Sequence, residues 1–159
     1  MAQHGTITQD NHAALWHGRF EEGPDAQAVE FETSIYVDER MALDDIKGSI
    51  DHAKMLAFTK IISEDEANQI VNGLESIQKD LESGSLKIDY SAEDIHSFIE
   101  ATLTDRIGDA GKKVHTGRSR NDQVALDLRL YMRDETQKIN ALLKSLIEVL
   151  VNKAEEEKH

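Results

Sequence analysis

Apolar residues recur every three or four positions through most of the chain, which is the period of helices packed on one side. From Asp38 to about Lys60, Met41, Ala42, Ile46, Ile50, Ala53 and Ala57 keep that spacing, and Asp38 is placed to cap the helix. Ser63 with Glu66 forms a capping box ahead of the stripe Ala67, Ile70, Leu74, Ile77 and Leu81, and "SGS" at 83–85 ends it. Ser91 with Asp94 suggests a second, weaker box before Ile95, Phe98, Ile99, Leu103 and Ile107. A short helix is expected from Asp25 to about Thr33, following Pro24. The run "LKIDY" at 86–90 is the one stretch that could be a strand.

Glycines at 108, 111 and 117 then break the pattern and predict a long polar loop. A helical stripe resumes at Asn121 or Asp122 and runs through Val124, Leu128, Tyr131, Ile139, Leu142, Leu146 and Val149. About 36 residues at ~1.5 Å each give a helix roughly 54 Å long. The preceding residues are too few to cover its apolar face. The expected architecture is therefore all-α: a disordered leader at 1–14, a compact helical unit at 15–118, and the start of a helical bundle at 119–159.

Composition narrows the class. Cysteine is absent, so disulfides and thiolate sites are excluded and a reducing cytoplasmic setting is expected. No apolar run reaches membrane-spanning length, and the N-terminus lacks a signal pattern. A net charge of −13 argues against nucleic acid as a partner. The charge is uneven: residues 112–133 carry six Lys/Arg against two acids. A basic island in an acidic protein suits a small anionic ligand.

The island contains "HTGRSRNDQV", His115 to Val124. Arg118 and Arg120 can each offer a planar fork to a carboxylate, and Asn121 and Gln123 can both donate and accept. Free N–H groups at a helix start add to the anion affinity. Alternatively, the segment is only a capped helix start, with its arginines in solvent or paired with the many acids. In "EDIH", Asp94 and His96 read either as an acid–base or orienting pair, or as a cap plus a satisfied core histidine. Ser34 in a linker reads as a turn or cap residue. The seven histidines show no i, i+4 pair, so no metal site is expected, and no P-loop or GxGxxG is present.

The residues themselves go further than their spacing. "LWHGRF", "FETSIYVDERMALDDIKGSIDHAKML", "EDIHSFIE" and "GKKVHTGRSRNDQVALDLRLYMRD" resemble the N-terminal region of the argininosuccinate lyase family, a branch of the fumarase- and aspartase-like lyases. The resemblance covers nearly all of residues 15–159. It implies anti β-elimination of argininosuccinate to arginine and fumarate, without a cofactor or metal, in a cytoplasmic homotetramer that serves arginine biosynthesis. It implies substrate contacts at Ser34, Arg120 and Asn121. Trp16, Arg19, Asp94, His96, Thr116, Arg118 and Ser119 are expected at or just behind the site. The family's catalytic histidine and serine would lie beyond His159, so no catalytic residue is expected in this chain and the chain alone is expected to be inactive. His17 and Asp51 depart from the usual family residues, glycine and alanine. Two other readings are a superfamily lyase with a different substrate and a non-catalytic scaffold relative.

Overall fold

The computed structural model describes residues 26–158. The leader expected at 1–14, together with Trp16, His17 and Arg19, lies outside the described residues. The chain forms α1 (Ala26–Glu32), α2 (Ile35–Asp38), a 3-10 turn (Glu39–Met41), α3 (Ala42–Phe58), α4 (Glu64–Ser83), α5 (Ile95–Ile107), α6 (Asp109–Lys112), a second 3-10 turn (Lys113–His115) and α7 (Arg120–Glu156). The all-α expectation holds, with no strand among the described residues. "LKIDY" is not a strand: its residues lie in the connection between α4 and α5.

Helices α3, α4 and α5 pack mutually around Ile46, Ala53, Leu56, Ile70, Leu74, Ile77, Ile95, Ile99 and Leu103, all buried. This is the apolar stripe of each helix turned inward, the main favourable contribution to folding. The α4 start is as expected: Ser63 Oγ accepts from the Glu66 N–H at 3.2 Å, and the Ser63 N–H donates to Glu66 Oε2 at 3.0 Å. The helix ends at Gly84, whose φ of 74° is the left-handed conformation that glycine takes without strain.

Three expectations need correction. Asp38 does not cap α3. The 3-10 turn carries helical geometry straight from α2 into α3, so α3 has no abrupt start for Asp38 to cap. Its buried carboxylate instead accepts from the Ile95 N–H at 3.1 Å, an otherwise unpaired donor in the first turn of α5. Ser91 does not open α5; Asp94 does, accepting from the Ser97 N–H at 2.6 Å. The long polar loop is mostly helical. Asp109–His115 form α6 and a 3-10 turn, leaving only Thr116–Ser119 as linker. Gly111 makes this possible, because a Cβ there would lie 2.8 Å from the Thr104 Cα.

Helix α7 has 37 residues, and its first turns cross α3. The crossing is close at Gly48, where a Cβ would sit 3.0 Å from Leu126 Cδ2. From Thr136 onward every described residue is exposed. Despite its length, neither α7 nor any other described helix is long and apolar enough to cross a membrane.

Candidate active-site surface

Each of three helices places two polar residues, one turn apart, on its inward face: Asp45 and Ser49 on α3, His96 and Glu100 on α5, Gln123 and Asp127 on α7. All six are buried. The cost of drying such groups must be offset by pairing, and most of them are paired. His96 Nδ1 lies 3.0 Å from Asp45 Oδ1 and 3.3 Å from Asp127 Oδ2. Gln123 Nε2 donates to the same Asp45 oxygen in a short contact. Arg118 donates from NH1 to Ser49 Oγ at 3.1 Å.

The titration of these groups follows from that geometry. Burial pushes the Asp45 carboxyl up, but the hydrogen bonds and charge from His96, the Gln123 amide and the Arg118 charge together hold it below the usual carboxylate range. Burial opposes the His96 cation, yet Asp45, Asp94 and Asp127 raise its pKa above the ordinary histidine value. At Asp127 the charges of His96 and Arg118 compensate less than burial and Asp45 oppose. Burial and the nearby Asp45 charge push its carboxyl up to about 7. The cluster thus favours an Asp45 carboxylate and a protonated His96, with Asp127 titrating at about 7. Burial also raises the Glu100 carboxyl, with Arg120 and Arg118 pulling the other way. The His115 ring is held below its ordinary value by burial and by the positive charges of Arg120 and Arg118.

Above this cluster lies the basic segment. Arg120, the first residue of α7, donates from NH1 to Gln123 Oε1 at 2.9 Å and from NH2 to Ser97 Oγ at 3.3 Å. Its Nε is 3.4 Å from Asp94 Oδ2. Ser119 caps α7 by accepting from the Asn121 N–H at 3.2 Å, and the Asn121 side chain is exposed. The Thr116 carbonyl accepts from His52 Nε2 at 2.9 Å, which pins the linker to α3. Ser34 caps α2. Its N–H donates to the Glu93 carbonyl at 2.9 Å and its Oγ to Asp38 Oδ2 at 2.7 Å.

The expected site residues therefore divide. Arg120, Asp94 and Ser34 meet at the N-terminal end of α5, with Asn121 and Ser119 on the adjoining turn. Arg118, His96 and Thr116 sit behind, joined to α3 and α5. Asp94 and His96 do not form a pair: Asp94 faces Arg120, and His96 faces Asp45. Asp51 is exposed and pairs with Lys54 at 3.7 Å, as its surface position suggested.

Asp45, Asp127, Ser49 and Glu100 were not singled out in the sequence, and Gln123, read there as part of the basic segment, is buried among them. Their available signal was polar side chains one turn apart on a packing face. Asp45, His96 and Asp127 also bring one ligand-type atom each within 4.8 Å of one another, a juxtaposition no sequence spacing reveals. A cation there would have to displace the proton between His96 and Asp45.

What emerges is an all-helical scaffold with an arginine-bearing surface braced by buried acids. A family model described as "Lyase" matches residues 18–159, and the chain belongs to that family. It is 56% identical over 142 residues to an argininosuccinate lyase of Heliobacterium mobile, covering 89% of this chain and 31% of the relative. It is 51% identical over 142 residues to one of Desulforamulus reducens, with the same coverage. It is 50% identical over 149 residues to one of Hahella chejuensis, covering 94% of this chain and 32% of the relative. The chain spans about a third of the length of these curated relatives.

Proposed function

We propose that this chain is the N-terminal part of an argininosuccinate lyase and supplies part of its carboxylate-binding surface. The reaction is anti β-elimination. A base removes a proton from the carbon beside a carboxylate, the carbon–nitrogen bond breaks, and the departing guanidinium nitrogen is protonated, leaving arginine and fumarate. The intermediate is an aci-carboxylate dianion, so fixed donors aimed at its oxygens carry much of the rate. The observation that supports this reading best is Arg120. Its guanidinium is oriented by Gln123, Ser97 and Asp94, beside the exposed Asn121 amide at the positive end of a long helix. Ser34 adds a hydroxyl at the same end of α5.

The proton-transfer groups belong to parts of the protein beyond these residues. The exposed apolar half of α7 is then the start of a shared helical core in a cytoplasmic homotetramer. Fumarate release from argininosuccinate, followed by ultraviolet absorbance, tests the reading on the complete protein beside the 159-residue chain. Release by the complete protein alone is expected. A complete, folded protein that releases none overturns the reading and favours a different substrate or a scaffold role. Within an active enzyme, Asn121→Ala should cost about 2–4 kcal/mol of transition-state stabilisation, read from kcat/KM. Unchanged turnover would remove Asn121 from the site.

A further inference from the structure

We propose that Gln123 is a positioning residue: anchored by Asp45, it orients the Arg120 guanidinium to receive a substrate carboxylate. The inference rests on the lyase reading above and goes beyond it. Gln123 is only 3% exposed, so it does not face ligand directly. Its amide is held at both ends, with Nε2 donating to Asp45 and Oε1 accepting from Arg120 NH1 at 2.9 Å. Chemistry fixes that orientation. An ionised carboxylate only accepts and a guanidinium only donates, so the amide nitrogen must face Asp45 and the oxygen Arg120.

Arg120 carries five N–H groups. One goes to Gln123, one to Ser97, and Nε lies near Asp94. Glu100 Oε2 lies 3.9 Å from NH2, beyond hydrogen-bonding distance, so each terminal nitrogen keeps an N–H with which a guanidinium can grip a carboxylate. The inner brace is a neutral amide. A carboxylate in its place would add a third acid to the two, Asp94 and Glu100, already beside Arg120 and would compete with the ligand. Asp45 is held in turn by His96, so the brace runs from α5 through α3 to the first turn of α7.

The test uses the complete protein. Gln123→Met keeps the side-chain length and removes both hydrogen bonds. kcat/KM for argininosuccinate should fall roughly tenfold or more, the loss of one hydrogen bond to a charged group, with KM rising. Gln123→Glu gives a readout that a merely structural role would not move. A protonated Glu donates to Asp45 and accepts from Arg120, as the amide does; an ionised Glu cannot donate. Its KM should therefore fall toward the wild-type value as pH is lowered. The ionisable groups around position 123 are Asp45 from α3, Asp94, His96 and Glu100 from α5, Arg118 from the linker, and Arg120 and Asp127 from α7. The wild-type protein at the same pH values accounts for their titration.

A Gln123→Met protein with unchanged KM, or a pH-independent KM in Gln123→Glu, overturns the proposal. Absence of fumarate release by the wild type would overturn the lyase reading instead. The positioning role is then decided by crystal structures of the wild-type and Gln123→Met proteins. A displaced Arg120 guanidinium is expected, and an unmoved one overturns the role.

Discussion

Along α7, Gln123 and Asp127 are buried, whereas Leu142, Leu146 and Leu150 are 71%, 55% and 59% exposed. The first turns lie over α3 and bury polar side chains; the later turns, exposed among the described residues, present Ile139, Leu142, Leu143, Leu146, Ile147, Val149, Leu150 and Val151 to the surface. Residue type alone would assign these halves the other way round. Burial follows what an element packs against, and here the polar half has its partners in this chain. An apolar face of this extent is the signature of a surface made for another protein element. The buried polar half is costly unless paired, which suits a structure that must fix charged groups in one geometry.

The sharpest break of this comparison is at the apolar half. If those turns bind a second copy, the 159-residue chain self-associates, and Leu146→Glu with Leu150→Glu returns it to a monomer. Two leucines leaving an interface forfeit about 1.5–3 kcal/mol each before the cost of burying charge. Sedimentation velocity reads the result, and a wild-type chain that stays monomeric at high concentration would mean these turns do not bind a second copy.

At the polar half, Asp45→Ala leaves His96 and the Gln123 amide without their shared acceptor and Arg118 without a compensating charge. Removing one partner of a buried charged group costs about 3–5 kcal/mol, seen as a lower urea midpoint. A loss below about 1 kcal/mol would mean that water reaches the cluster freely.

The third expectation concerns pH. Asp127 has a folded pKa raised from 3.8 to about 7. Between those values the folded protein keeps a proton that the unfolded chain has released, so stability falls as pH rises through the window. His96, whose pKa is also raised, adds a decline above its ordinary value. Asp45, whose pKa is lowered, loses its contribution only as pH drops through its depressed value. Asp127→Asn mimics the protonated acid and should flatten the decline between about pH 4 and 7. Unfolding curves at several pH values check this, and an unchanged slope would put the proton elsewhere.

The smallest effect is the control. Ser63→Ala removes one half of the α4 capping box, far from both halves of α7, and should cost about 1 kcal/mol without altering association or pH dependence. A change in either would mean that the regions are coupled through α4.

Much of this was legible in the residues. The stripes of α3, α4 and α5, the Ser63 box and the great length of α7 follow from spacing, because a helix interior repeats every 3.6 residues wherever it packs. The donor-rich, basic character of the motif around Arg118 to Asn121 was legible because arginine and asparagine side chains carry that capacity anywhere. Asp38 was misread because capping by a residue of another helix leaves no local trace: its partner, Ile95, lies 57 positions away. The stretch after Gly108 was misread because its glycines suggested a loop, when Gly111 serves a close helix contact.

By itself the sequence determined the helical class, the order of the main elements and the chemical character of the basic segment, all properties that arise within a few turns of chain. Only the tertiary structure decided that Asp45, His96, Gln123 and Asp127 share one buried cluster, that Asp94 faces Arg120 and not His96, and that Gln123 stands between Asp45 and Arg120. Those pairings join residues up to 78 positions apart, and the packing of α3, α5 and α7 brings them within hydrogen-bonding distance.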